Sequence, residues 1–463
     1  MSKYSVITTL RMATDFLQPE LHAELIGNNE NFSGISTDTR DVQAGQLFVA
    51  LSGPNFDGHD FIGEARKSGA VGAIVSAFVN DDDMKNFPQI VVSDTLHAYG
   101  QLASRWRQQF KVPVVAITGS NGKTTVKEML SAILSQRGDV LSTQANFNNE
   151  IGVPRTLLRI AGTHVAAVVE EGASRPGDIA YLTKLVQPTI VLVTNAASAH
   201  LEGFSTLDAV AKTKGEIFEY MPEDAIAVIN ADDTYADLWR KQAGQHLVLS
   251  FSLSENACAD VQGSLQDDGR VKISTANGEI SVQLSLQGRH NMMNALAATA
   301  AALAAGASLM DIAAGLTSVK AVPGRLERKP AINGAQILDD TYNANPASLA
   351  AALDVLGECR THRYLALGDM AELGNQSVEF HAHAGRQARD KGVHRLYAVG
   401  EYSQHAAIAF GEKGRHFTGQ EQLISQLRKD LNDKATLLVK GSRSAHMERV
   451  VAALCEQRVE EQV

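Results

Sequence analysis

The stretch AITGSNGKTTVKEML, Ala116 to Leu130, constrains this chain more than any other. It joins a buried-strand pattern, Val114 to Ile117, to an amphipathic helix. In that helix Val126, Met129, Leu130, Ile133 and Leu134 follow the i, i+3, i+4, i+7, i+8 spacing of one apolar face. Between them, Gly119 and Gly122 allow close backbone approach, so the amides from Ser120 to Thr124 are expected to meet phosphate oxygens at a helix N-terminus. Lys123 would neutralise β- and γ-phosphates, and Thr124 would offer a hydroxyl to Mg²⁺. The common loop G-x-x-x-x-G-K-[ST] places a glycine six residues before the lysine. Here that position is Ile117, and the loop is the shorter G-x-x-G-K-T-T.

At 463 residues the chain exceeds what one hydrophobic core usually organises, so two or three domains are expected. A net charge of −10 without a long Lys/Arg stripe argues against a nucleic-acid binder but not against a small anionic ligand. Cys258, Cys359 and Cys455 are far apart, without CxxC or zinc spacing, which fits reduced thiols. The opening MSKYSVITTL has no signal-peptide apolar run and no stretch approaches a membrane span, so a cytoplasmic protein without membrane insertion is expected.

Residues 1–93 read as short strands and helices, with a buried strand over Leu47 to Leu51 and a polar turn at Asp38, Thr39 and Arg40. Residues 94–322 alternate strands and helices around the phosphate loop, the pattern of a mostly parallel sheet. Candidate strands there are Val165 to Val169, Ile190 to Thr194 and Ala225 to Ile229, and Asn277-Gly278 marks a hairpin. Polar residues follow each strand, where the crevice of an open parallel sheet lies. Ala295 to Ala305 reads as a packed helix. From Pro323-Gly324 to residue 463 the alternation restarts without a phosphate loop, with strands at Gln336 to Leu338, Tyr364 to Leu367, Leu396 to Val399 and Leu437 to Val439.

A triphosphate at Lys123 needs magnesium ligands from other strand ends, and Glu170 and His200 stand at such ends. Lys212 and Lys214, in DAVAKTKGEIF, read by themselves as solvated helix lysines. The motifs AITGSNGKTT, E-x-G-A, AHLEGF, AKxKGEIF, HNxxNALAA, PGRLE, DDTYNANPxS and LGDMxELG occur here in one order. Together they resemble the Mur ligases over nearly the whole chain, from T-D-T-R to L-V-K-G-S-R, and the short phosphate loop is that family's own form.

The resemblance implies an α/β fold of three domains: a small N-terminal UDP-binding domain, a central P-loop ATPase with a parallel sheet, and a C-terminal Rossmann-like domain that closes over the site. It implies an ATP- and Mg²⁺-dependent ligase that phosphorylates the terminal carboxylate of UDP-MurNAc-tripeptide and joins it to the amine of D-Ala-D-Ala, acting as a monomer. By motif, Thr118, Gly119, Ser120, Asn121, Gly122, Lys123, Thr124 and Thr125 would hold the phosphates. Thr124, Glu170, His200 and Lys214 would bind metal, Lys214 as a carbamate. Asn294 would hold adenine, and Arg325 and Asp340 would reach the nucleotide from the junction with the C-terminal domain. Asp38, Thr39 and Arg40 fall on the uridine-nucleotide turn, and Asn343 and Asn345 on the closing face near the amine. Glu171 stands where the family's usual motif has leucine, which leaves Glu170 or Glu171 as the ligand. The third peptide residue, diaminopimelate or lysine, also stays open. The alternatives are a folylpolyglutamate-type ligase, against which T-D-T-R and Y-N-A-N-P speak, and a P-loop switch ATPase, which needs no sugar-nucleotide domain.

Overall fold

The computed structural model describes residues 9–81, 84–197, 204 and 206–455. Three main sheets draw on residues 24–91, 114–282 and 327–440. In the first, the fully buried strand Leu47–Val49 lies between Ile35–Ser36 and Gly72–Val75, both parallel to it. Gln89–Val91 and the antiparallel Glu24–Ile26 complete that sheet.

The central sheet has nine strands, seven of them parallel and an antiparallel pair at one edge. Its interior strand Val114–Thr118 pairs with Ala166–Glu170 on one side and Ile190–Val193 on the other. Alternation along that strand divides the core: Val115 and Ile117 face one apolar layer, Val114 and Ala116 the other. The first layer holds the helices Lys123–Leu134, Arg289–Ala304 and Leu309–Ser318. Small side chains bring these helices close: Ala295, Ala297, Ala298, Thr299, Ala300, Ala301 and Ala302 are all buried, and a Cβ at Gly315 would collide with the backbone of Ile133. The opposite layer holds Asp178–Val186, Leu207–Glu219 and Ala236–Ala243. The expected hairpin is present, Val271–Thr275 against Gly278–Val282, with Thr275 opposite Gly278.

In the third sheet, five parallel strands run in the order Gln336–Asp340, Ala435–Lys440, His362–Gly368, Arg395–Val399, Gly414–Phe417, and Glu327–Pro330 joins antiparallel at the first edge. The last strand in sequence returns between the first two, which opens a crevice at their C-terminal ends. Glu327–Pro330 and Gly414–Phe417 carry no apolar alternation and lie at the two sheet edges, so the sequence pattern did not reveal them. Strands Ala166–Glu170 and Gln336–Asp340 extend beyond their expected ends into polar residues, and Glu170, Asp339 and Asp340 are buried there.

Candidate active site

The loop after Val114–Thr118 turns into the helix Lys123–Leu134 through Gly119 (φ 141°) and Gly122 (φ 86°), conformations that favour glycine. A Cβ at Gly119 would collide with the Thr194 hydroxyl, and one at Gly122 with the carboxamide of Asn294. The space the glycines leave is therefore filled by protein, and it is the neighbouring strand end and helix that demand them. The amides also divide differently from the expectation. Those of Ser120 and Asn121 donate to the carbonyl and side chain of Asn195, each at 3.0 Å, while Thr194 and Asn195 hold the carbonyl of Asn121 at 2.6 and 3.0 Å. Anion binding is left to the first-turn amides of Gly122, Lys123, Thr124 and Thr125.

Lys123 Nζ donates to the carbonyl of Gly119 at 2.6 Å. Enclosure of the ammonium lowers its pKa, which Glu170 opposes and the charge of Arg325 reinforces. Thr124 donates to Glu170 Oε2 at 3.1 Å, and Asn148 to Glu170 Oε1 at 2.9 Å. Strand alternation separates the two glutamates: Glu171 is bonded instead to Thr183 at 2.9 Å, with its other oxygen unpartnered among the described residues, and burial pushes its pKa up to about 8. Glu170 is thus the carboxylate beside the phosphate loop. Among the described residues, no three His, Cys, Asp or Glu side chains are grouped so that they could hold a metal ion. The hard oxygen donors at the loop are Thr124 and Glu170, and His200 lies outside the described residues.

Lys214 is 2% exposed, on a helix anchored by the buried Ile217 and Phe218, whereas Lys212 points to solvent. Burial, then repulsion from Lys123, pushes the Lys214 pKa down to about 7, against the pull of Asp178, Glu216 and Glu170. Lys123 and Lys214 open onto one cavity of about 600 Å³, also lined by Asn148, Asn149, Glu150, Arg175 and Asp178. Sequence reasoning missed Asn148; the run Ala-Asn-Phe-Asn-Asn-Glu after the strand Val140–Ser142 was its signal.

The third sheet reaches the same loop. Asn345 caps the helix Pro346–Gly357 and donates to the Asn121 side chain at 2.8 Å. Arg325, over the ring of Tyr342 at 4.1 Å, reaches the Thr124 hydroxyl at 3.4 Å. Asp340 is ion-paired with the buried Lys440, which also donates to the Asn343 carbonyl at 3.0 Å, and the Asn343 side chain is exposed. Asn294 lies beneath the loop, donating to Asn291 at 3.1 Å.

A second cavity, about 690 Å³, lies between the first sheet and the central unit. Asp38 is in its wall, but Thr39 turns to Glu64 at 3.2 Å and Arg40, 86% exposed, folds back onto Asp38. The cations in its wall come from the central unit: Arg155, paired with Asp41 at 3.2 Å, and Arg159. Nothing in the local pattern around either arginine distinguished them from solvated helix residues.

Three family models match: the Mur ligase middle domain over residues 117–302, the Mur ligase glutamate ligase domain over 324–443, and the Mur ligase family catalytic domain over 31–107. The chain is 44% identical to the UDP-N-acetylmuramoyl-tripeptide–D-alanyl-D-alanine ligase of Escherichia coli (strain K12), over 97% of this chain and 99% of that one. It superposes on MurF from Acinetobacter baumannii with TM-score 0.87 and 34% identity, covering 95% of this chain and 97% of that one. On MurF ligase from Thermotoga maritima in complex with ADP, the TM-score is 0.78 at 30% identity, covering 91% and 96%.

Proposed function

The chain belongs to the Mur ligase family, and from that membership we propose that it joins D-alanyl-D-alanine to UDP-N-acetylmuramoyl-tripeptide at the expense of ATP, giving the pentapeptide precursor of peptidoglycan. The observation that carries the reading is the single cavity onto which Lys123 and Lys214 open, with Arg325 and Asn345 of the third sheet touching the loop beside it. We assign residues 1–93 to the UDP-sugar, 94–322 to ATP and 323–463 to closure over the site. No helix among the described residues is long and apolar enough to cross a membrane. A monomer working in the cytoplasm on soluble substrates completes the proposal.

In this reading the tripeptide's terminal carboxylate attacks the γ-phosphorus and ADP leaves. The amine of D-Ala-D-Ala then attacks the acyl carbon, phosphate leaves, and the nitrogen loses a proton. The first step brings two anions together, so positive charge must already be in place. Lys123 supplies it from inside the loop, exchanging the Gly119 carbonyl for phosphate oxygens. Thr124 and Glu170 are donors of the kind Mg²⁺ takes, and with His200 and Lys214 they would hold it. When bound, magnesium neutralises phosphate charge. Lys214, with its pKa near 7, offers a neutral amine to CO₂, and the carbamate formed, with release of one proton, replaces a repelling cation by two oxygens. Arg325 brings its charge to Thr124 from the third sheet, which ties catalysis to domain closure. Asn294 and Asp340 act on the nucleotide side, Asn343 and Asn345 on the amine side, and Asp38, Thr39 and Arg40 at the uridine turn.

The test is to incubate the protein with ATP, Mg²⁺, D-Ala-D-Ala and UDP-MurNAc-tripeptide, carrying either diaminopimelate or lysine, and to weigh the product. A pentapeptide mass is expected. ATP hydrolysis that needs neither substrate, with no pentapeptide formed, would instead identify a switch ATPase.

A further inference from the structure

Of the polar side chains in the wall of the cavity between the first sheet and the central unit, one is both shielded from water and without a partner among the described residues. Asp38 is paired with Arg40, Asp41 with Arg155, Trp106 Nε1 with the Ile160 carbonyl at 3.0 Å, Ser33 with the Gly45 carbonyl, and Gln46 with the Gln43 amide. Gln109 differs. Both its Oε1 and its Nε2 are shielded from water and have no partner among the described residues. A buried carboxamide with neither bond made is costly in the free protein, so the site keeps a group whose partner is brought by something else.

The surroundings define that partner. Phe32, Leu102, Trp106 and Leu158 line the cavity and suit a flat, weakly polar ring, while Arg155 and Arg159 in the same wall suit a diphosphate. The substrate assigned under the proposed function carries both. Its uracil presents a donor, N3–H, beside a carbonyl acceptor, and a carboxamide is the neutral side chain whose acceptor and donor match that pair in one plane. We propose that Gln109 reads the uracil of the UDP-sugar, Oε1 accepting N3–H and Nε2 donating to the adjacent carbonyl. The proposal rests on the ligase reading. It makes the helix Thr95–Arg107, with the turn after it, part of the sugar-nucleotide site.

The test uses the full-length enzyme with UDP-MurNAc-tripeptide, ATP and D-Ala-D-Ala. Gln109→Met keeps the length and removes both polar atoms, and Gln109→Glu keeps the shape but cannot donate. In both, KM for UDP-MurNAc-tripeptide should rise about tenfold, the loss of one to two neutral hydrogen bonds, with kcat and the KM values for ATP and D-Ala-D-Ala unchanged. The ligand-free Gln109→Met protein should melt no lower than wild type, because it leaves no buried amide unpaired. A KM for the UDP-sugar within twofold of wild type in either variant overturns the assignment. So does a lowered Tm for Gln109→Met with all three KM values rising together, which marks a structural side chain. If the wild-type protein makes no pentapeptide, it is the ligase reading that falls.

Discussion

Replacing Asp340 by alanine separates two roles for a residue that the sequence motif placed near the nucleotide. In the structure Asp340 stands opposite Lys440 in paired parallel strands, 7% exposed against 1%, and its carboxylate accepts from Lys440 Nζ. Burial already lowers the pKa of Lys440, and Asp340 is the charge that opposes this. Without Asp340 the lysine keeps one bond, to the Asn343 carbonyl, and either holds an unpaired charge in the core or gives up its proton. Breaking a buried pair in this way costs about 3–5 kcal/mol. For a unit of this size that lowers the melting temperature by roughly 10 °C. The double variant Asp340→Leu/Lys440→Met should recover most of the loss, because an apolar pair of similar volume needs no desolvation of charge. Thermal unfolding followed by circular dichroism, with KM for ATP measured alongside, checks both. If Asp340→Ala melts within about 2 °C of wild type while its KM for ATP rises more than about tenfold, the ion-pair reasoning is refuted and the nucleotide role stands.

Lys123→Ala should abolish ligation in steady-state assays while leaving the melting curve intact, since its charge matters most as phosphoryl charge develops. Lys214→Ala should be nearly inactive and partly rescued by acetate or formate, whereas the exposed Lys212→Ala stays near normal; rescue of the latter instead would put the register wrong. Glu170→Gln should lose turnover by about 100-fold or more while Glu171→Gln stays within about threefold, because only Glu170 meets Thr124; pentapeptide yield at saturating Mg²⁺ decides between them. His381 is wholly buried, its Nε2 accepting from the Met370 amide at 3.0 Å and its Nδ1 bonded to the Ser377 carbonyl at 2.6 Å, and burial holds its pKa below 6.5. The unfolded chain therefore binds a proton there that the folded chain does not, so stability should fall as pH drops below 6.5, and urea titrations across that range should show a flatter slope for His381→Gln.

The local sequence determined whatever depends on neighbours along the chain. The strand, glycine turn and apolar helix face at Val114 to Leu134 announced the phosphate loop, and the hairpin at Asn277-Gly278 needed only its turn residues. Ile217 and Phe218 fixed the helix face that buries Lys214, as the 3.6-residue period requires. What local pattern left open, apart from what the motif resemblance implied, was how residues far apart in number meet. Strand alternation alone could not say whether Glu170 or Glu171 faces the loop, because the choice depends on which side of the sheet carries the helix Lys123–Leu134. Pairing of Asp340 with Lys440 arises because the chain's last strand returns beside Gln336–Asp340, a crossover that leaves no periodic trace. Arg155, Arg159 and Gln109 read as ordinary polar residues until the first sheet packs against the central unit and makes one cavity wall of them. Local propensity acts within a turn or two of chain, whereas burial and charge pairing act through space, and only the folded arrangement decides which groups share it.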